Sequence, residues 1–271
     1  MLQNLHTHTV FSDGKNTPEE MVEKAISLGF DSIGFSTHAK TGDSFWWEGR
    51  DLEGYKKTLL DLKKKHEGVI DIFIGTELDY FSNGYMPTDD LDYKLASVHV
   101  AKVGDDFIQF DESYEHSKNA IEKHFGGDPM GFAKKYYEML SELPQRLDFD
   151  FVGHFDLLTK FSENHPELID TDSPEYRKTA LEALHTLRKS VDFFELNTGA
   201  IGRGYRKTPY PAPFILREMK NLGCKIIITS DCHNKDFLDC YFKESKELLL
   251  SLGFKETYFL TRNGFVGELI K

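Results

Sequence analysis

Short runs rich in Ile, Val, Phe and Leu alternate along this chain with longer, more polar segments whose apolar residues recur at helical spacing. The runs predict strands at Asn4 to Val10, Ser32 to Thr37, Ile70 to Leu78, Lys94 to Val100, Asp150 to Phe155, Phe193 to Asn197 and Lys225 to Ser230, with a last one at Thr257 to Thr261. Helices fill the intervals. Thr17 is placed to cap the first, Pro18 suits its first position, Glu20 completes a capping box, and Gly29 marks its end. Ser173 and Pro174 open another that runs through Ser190, with Ala180, Leu184, Leu187 and Val191 recurring at helical spacing. No low-complexity or linker stretch divides the pattern, so residues 1–271 are expected to form a single domain. Strand and helix alternating over seven or eight units imply parallel strands with right-handed crossovers. A (β/α) barrel is the economical closure, and a doubly wound open sheet is the alternative.

Composition narrows the function classes. With 33 basic and 45 acidic side chains the formal charge is −12, which argues against general nucleic-acid binding, since phosphate backbones are held by clustered Lys and Arg. No apolar run approaches the roughly 20 residues needed to span a bilayer, and the opening MLQNLHTHTV lacks the basic start and apolar stretch of a signal peptide. Cys224, Cys232 and Cys240 are an odd number without metal-type pairing, which suits a reducing compartment. A cytoplasmic protein with no membrane partner is expected. Nothing in the sequence fixes an oligomeric state.

The histidines carry the chemical signal. Six of the eleven, His6, His8, His38, His99, His154 and His233, fall in or just after a predicted strand, and strand ends converge on one face of a barrel, where such folds place their chemistry. The other five, His66, His116, His124, His165 and His185, sit in polar helical or loop contexts and read as ordinary solvated side chains. His6 and His8, two apart on a strand, point to the same side and can grip one cation, and Asp231 with His233 repeats that spacing. Glu77 follows the apolar run Ile72 to Ile74, where a carboxylate can bridge two ions, and Asp13 lies in the loop after the first strand. One histidine at a strand end is more often a hydrogen-bonded structural residue than a ligand. Six of them with three carboxylates, at the ends of six strands, make that reading poor, and nine ligands exceed one tetrahedral zinc. Two or three metals are expected.

Seven segments occur in the order of a known family: HTHTVFSDG at 6–14, FSTHA at 35–39, GTELDY at 75–80, SVH at 97–99, VGHFDLLTKF at 152–161, ELNTGAIGR at 195–203 and TSDCH at 229–233. The chain resembles the polymerase and histidinol phosphatase (PHP) superfamily, and within it the histidinol-phosphate phosphatases. That resemblance implies an α/β fold, a distorted TIM-like (β/α)7 barrel with a multinuclear metal site at the C-terminal ends of its strands. It implies three divalent ions, held by His6, His8, Glu77 and Asp231, by Glu77, His99 and His154, and by Asp13, His38 and His233. Mixed imidazole and carboxylate shells suit zinc, manganese and iron alike.

Three divalent ions carry roughly +6, three carboxylates and a bridging hydroxide offset about 4, and the remaining charge of about +2 matches a phosphate monoester dianion. The activity implied is hydrolysis of L-histidinol phosphate to L-histidinol and phosphate, a step of histidine biosynthesis, by direct attack of a metal-bridging hydroxide. Glu77, Asp231 and Arg203 are the candidate catalytic residues. Arg203 lies where the family carries an arginine, although the GAIGR spelling shifts its register and makes Arg206 the nearby substitute. Its loss is expected to weaken phosphate binding and leave metal content intact. Lys160 looks like the family's second cation. Asp111, Glu112 and Tyr114 are candidates to pair with the substrate amine or stack on its ring, with helix capping by the same segment as the bland alternative. Trp46 and Trp47 could wall the pocket. Competing readings keep the site for another small phosphate monoester or phosphotyrosine, or make the chain a non-catalytic metal-binding module, against which stands the retention of all nine positions.

Overall fold

The computed structural model describes residues 1–41, 51–82 and 87–271. Its first strand, β1 (Gln3–Asn4), leads through an extended loop to helix α1 (Pro18–Ser27). Thr17 and Glu20 form the reciprocal capping box there, and Gly29 follows the helix with φ of 76°. Then come β2 (Ser32–His38), α2 (Leu52–Lys65), β3 (Asp71–Asp79) and β4 (Tyr93–Ser97). A small hairpin, β5 (Val100–Val103) with β6 (Asp106–Gln109), and the helices α3 (Tyr114–Phe125) and α4 (Pro129–Arg146) precede β7 (Phe151–Val152). The chain continues through α5 (Pro174–Leu187), β8 (Phe193–Asn197), the one-turn α6 (Gly199–Gly202), α7 (Pro213–Asn221), β9 (Lys225–Thr229) and α8 (Phe242–Ser251). It ends in an antiparallel hairpin of β10 (Glu256–Thr261) and β11 (Gly264–Leu269).

Seven strands, β1, β2, β3, β4, β7, β8 and β9, lie parallel in chain order. The two ends of that sheet meet: Thr7 bridges Cys232 in parallel sense, the His8 amide donates to the Cys232 carbonyl at 2.9 Å, and the Cys232 amide donates to the His6 carbonyl at 3.0 Å. The result is a nearly closed α/β barrel rather than an open sheet. Among the described residues no helix is long and apolar enough to cross a membrane.

Three expectations change. The run at Thr257 to Thr261 is not an eighth barrel strand, because it pairs antiparallel with β11. The segment from Lys94 to Val100 divides between β4 and the side hairpin, and no helix joins β3 to β4 among the described residues. The stretches from Asn4 to Val10 and Asp150 to Phe155 largely lack regular pairing, which is confined to the two-residue strands Gln3–Asn4 and Phe151–Val152. Packing accounts for that brevity. Leu5 belongs with Phe73, Tyr93, Leu95, Phe151 and Ile227 in an apolar cluster inside the barrel, while the next residue, His6, is fully buried in the polar site above it. Adjacent residues of a regular strand face opposite sides, so the strand must break for both to point inward. His154 follows Phe151 out of step in the same way.

The inner cluster is built around Tyr93, whose hydroxyl donates to the Leu5 carbonyl at 2.6 Å. Its ring lies where two neighbouring strands carry glycine: a Cβ on Gly75 would sit 2.4 Å from the ring, and one on Gly34 2.6 Å from the hydroxyl. The terminal hairpin closes the barrel floor from below. The Gln3 side-chain amide donates to the Leu260 carbonyl and accepts from the Leu260 amide, both at 2.8 Å, and Tyr258 and Phe265 pack on the inner cluster. Helices cover the outside with a larger apolar layer. Gly75→Ala forces a methyl into the Tyr93 ring, and overpacking of this kind costs about 1–3 kcal/mol. A lowered urea-denaturation midpoint is expected, and an unchanged one would show that Tyr93 has room to spare.

Candidate metal centre and active-site cleft

At the C-terminal ends of the strands, β2 ends on His38, β3 carries Glu77 and Asp79, and β9 runs into Asp231 and His233. His6 and His8 come from the extended segment after β1, with ring centroids 5.1 Å apart on one side of the chain. Asp231 has φ of 44°, in the left-handed region that a non-glycine residue adopts at a cost. That conformation turns its carboxylate back over the barrel mouth.

All nine expected positions come together there, centred on Glu77, which is 1% exposed. Its two oxygens face different partners. Oε2 lies 3.2 Å from His6 Nε2, 3.4 Å from His8 Nε2 and 3.1 Å from His38 Nδ1, whereas Oε1 lies 3.2 Å from His99 Nε2 and 3.0 Å from His154 Nε2. Asp231 Oδ1 is 3.5 Å from His6 Nε2 and 3.4 Å from His8 Nε2. Toward solvent, Asp13 Oδ2 approaches His233 Nε2 at 3.1 Å and His38 Nε2 at 3.6 Å, and His233 stacks on His8. The groups able to share an ion overlap. His6, His8 and Glu77 form one; His8, Asp13, His38 and His233 another; His38 joins Glu77 and His99, and His6 joins His154 and Asp231. Glu77, expected in two sets, reaches two groups, and so do His6, His8 and His38, each expected in one.

The donor set fits divalent metals. His6 Nε2, His8 Nε2 and Glu77 Oε2 are buried without a hydrogen-bond partner although they converge. Buried polar atoms are rarely left so unless a ligand serves them. The charges agree. Burial opposes ionisation of Glu77, yet His6, His99 and His38 hold its carboxyl well below the ordinary range. Asp231 is likewise held low against burial, by Arg203 and His6, and Asp13 by His38 and His233. Burial favours neutral imidazole at His6, but Glu195, Glu77 and Asp231 together raise its pKa well above the usual value. For His38 the same contest, burial against Asp13 and Glu77, ends at about 9. Burial and the neighbouring His8 lower His233.

A cleft of about 230 Å³ opens over the cluster, bounded by Glu77, His99, His154 and Asp231 beneath and by Arg203, Tyr205, Lys160, Gln109, Asp111 and Glu112 at the sides. A larger cavity, about 560 Å³, lies near Phe73 and Leu260 on the floor side and contains none of the nine. Arg203, not Arg206, lines the cleft. Gly199 makes this possible, since a Cβ there would meet Asp231 Cβ and the Ser230 carbonyl at 2.8 Å, so α6 lies directly on the site and delivers Arg203. Arg203 Nη2 donates to Asp231 Oδ2 at 2.8 Å, and Nη1 donates to the Asp231 carbonyl at 2.9 Å and lies 2.9 Å from His233 Nδ1. It thus contacts two of the nine directly.

Arg206 is buried beside Asp156 and Glu163, at 3.8 and 3.5 Å, and lines a different cavity with Arg177 and Phe214. Lys160 Nζ donates to the Asp111 carbonyl at 2.6 Å and sits 3.4 Å from its carboxylate, whose Oδ1 is buried without a partner. Glu112 reaches the cleft, but Tyr114 does not: it stacks on His165 at 3.9 Å and donates to Glu167 at 3.1 Å. Ser113 of the same segment caps α3, so helix capping and cleft lining divide its residues between them. Trp46 and Trp47 lie outside the described residues.

Two buried carboxylates of the site were missed from sequence. Asp79 Oδ2 accepts the His99 amide at 2.8 Å and lies 3.4 Å from His99 Nδ1. Its signal was present, because two residues beyond Glu77 on a strand places it on the same face. Glu195, fully buried, accepts from His6 Nδ1. A carboxylate inside the apolar run FFELN was its signal, since such a group is buried only when paired.

The PHP domain model matches residues 4–199. The histidinol-phosphatase of Bacillus subtilis is 26% identical over 252 residues, covering 84% of this chain and 92% of that protein. Among solved structures, hisK of Listeria monocytogenes has a TM-score of 0.76 at 24% identity, over 89% of this chain and 99% of that one. Histidinol phosphate phosphatase of Lactococcus lactis, complexed with zinc, L-histidinol and phosphate, has a TM-score of 0.73 at 20% identity, over 98% of both chains. At these identities the two structures establish a common fold.

Metal ligation needs neutral imidazole, and His38, with a pKa of about 9, carries a proton at pH 7. Zinc binding at pH 7 is therefore expected to release on the order of one proton or more per chain, and affinity is expected to fall as pH drops below 9 because protons hold the site. Titration calorimetry in two buffers of different ionisation heat reads this. Equal heats in both would overturn it.

Proposed function

The chain belongs to the PHP domain family, and from that premise we propose that it is a metal-dependent phosphomonoesterase that hydrolyses L-histidinol phosphate to L-histidinol and phosphate. The observation that carries the reading is Glu77, a buried carboxylate whose two oxygens face two different sets of imidazoles, beneath a cleft walled by Arg203 and Lys160. Support for the substrate comes from the Bacillus relative's activity and from the ligands of the Lactococcus structure. Three divalent ions are proposed, with zinc the first candidate, held by His6, His8, Asp13, His38, Glu77, His99, His154, Asp231 and His233. Such ions supply a Lewis acid for phosphoryl oxygens and make water a competent nucleophile near neutral pH.

The chain's own residues do the rest. Glu77 and Asp231 fix the spacing of the cationic positions. Burial lowers the pKa of the Arg203 guanidinium, but Asp231 more than reverses that, so it stays charged and adds a donor beside the place where phosphate charge develops. Lys160 holds Asp111 in the side wall, where burial opposes but the ammonium favours the ionised carboxylate. Asp111 and Glu112 add carboxylates to the lining of the same cleft, available to pair with the substrate's ammonium group. The cleft thus offers cations for the phosphoryl group and carboxylates for the amine.

The direct test is kcat/KM for L-histidinol phosphate beside phosphotyrosine, glycerol phosphate and p-nitrophenyl phosphate, on protein of known metal content. A preference of about 10³ or more, worth roughly 4 kcal/mol of transition-state discrimination, is expected. Indifferent hydrolysis would leave a metal phosphatase with another substrate. Arg203→Ala is expected to lower kcat/KM by about 10²–10³ and also to reduce bound metal, because Asp231 loses the donor on its Oδ2. Full metal content in that variant would confine Arg203 to the phosphate.

A further inference from the structure

Glu195 sits on β8 beneath the cluster and is not one of the nine convergent ligands. It is 0% exposed, and both of its oxygens are fully engaged. Oε1 accepts from His6 Nδ1 at 2.6 Å and from the Thr229 hydroxyl at 2.5 Å. Oε2 accepts from the His154 amide at 2.6 Å and from the Asn197 side-chain amide at 2.9 Å. One carboxylate therefore ties the ends of β8 and β9 to the segments that follow β1 and β7. Those last two are the strands whose regular pairing stops after two residues.

An ionised carboxylate only accepts hydrogen bonds, so His6 must donate from Nδ1, and the neutral ring then carries its lone pair on Nε2. That nitrogen is buried without a hydrogen-bond partner and points toward Glu77 and Asp231. We infer that Glu195 is a positioning residue that holds His6 in the Nδ1-protonated tautomer, directs its Nε2 into the metal centre, and anchors the His154 backbone to the same carboxylate. The inference rests on the metal-dependent reading above. Glutamine at 195 would keep the size but replace an acceptor by a donor. If its amide nitrogen faced His6, it would favour a proton on Nε2, where the metal must bind; if it faced the His154 amide, two donors would meet.

The experiment measures zinc affinity by competition with a chromophoric chelator for the wild type, Glu195→Gln and Thr229→Val. The glutamine variant is expected to bind zinc 10–100-fold more weakly, as for other groups that orient metal-ligating histidines. Thr229→Val removes a donor from the same carboxylate without touching His6 and is expected to keep affinity within about threefold of wild type. In zinc-loaded wild type, nitrogen-15 NMR is expected to find a proton on His6 Nδ1, which tests the tautomer even where Glu195→Gln fails to fold. Wild-type affinity in the glutamine variant, or a His6 ring without that proton, overturns the inference and leaves the metal reading standing. A wild-type protein that takes up no zinc overturns both.

Discussion

The barrel mouth is organised by the need to neutralise one carboxylate. Glu77 is almost wholly removed from water, and an isolated charge there would be too costly to keep. Five imidazole nitrogens within 3.4 Å of its oxygens answer that need. They do so as proton carriers or as ligands to shared cations, and the two uses exclude each other on any one nitrogen. The raised pKa values of His6, His38 and His99 and the depressed one of Glu77 describe the first use. The unpartnered Nε2 atoms of His6 and His8 are shaped for the second. Proton and metal thus compete for one set of positions, and Arg203, Glu195 and Asp79 keep those positions in place whichever is bound.

The same requirement explains irregularities lower in the barrel. An apolar floor around Tyr93 and a polar site directly above it must share the inside of one narrow sheet. Where β2, β3, β4 and β9 make that change, strict alternation suffices. Where β1 and β7 make it, residues of opposite parity, Leu5 with His6 and Phe151 with His154, both face inward, and ladder pairing is given up. Glu195 replaces the lost main-chain bonds with side-chain ones, reaching His6 and the His154 amide. The strained φ of Asp231 belongs with these departures.

Much of this was legible in the sequence, for reasons that can be named. Apolar runs ending in His, Asp or Glu mark the strand ends, and with Asp13 in the loop after the first run they identify the nine convergent residues. β8 has its expected bounds because the apolar run from Phe193 lies between the turn that ends α5 and the start of α6 at Gly199. Thr257 to Thr261 is a strand as expected, but its composition is that of a barrel strand, and only its antiparallel partner, Gly264 to Leu269, sets it outside the barrel. Glu195 and Asp79 were missed because attention to exposed strand ends overlooks charges that support a site from beneath. Tyr114 was misplaced within its segment because α3 begins there and turns its ring toward His165. Charge and spacing name ligands readily, whereas which side of a helix start faces a cleft depends on packing that a linear sequence does not express.

The meeting of Thr7 with Cys232 has a consequence for how the protein comes into being. His6 and His8 are made some 220 residues before Asp231 and His233, and the segment after β1 lacks its Cys232 neighbour until then. Until those residues follow, the two histidines lack the partners that the closed barrel gives them. The complete centre therefore requires every barrel strand from β1 to β9 to be in place. Every intermediate length carries part of the cluster without the geometry that makes it selective.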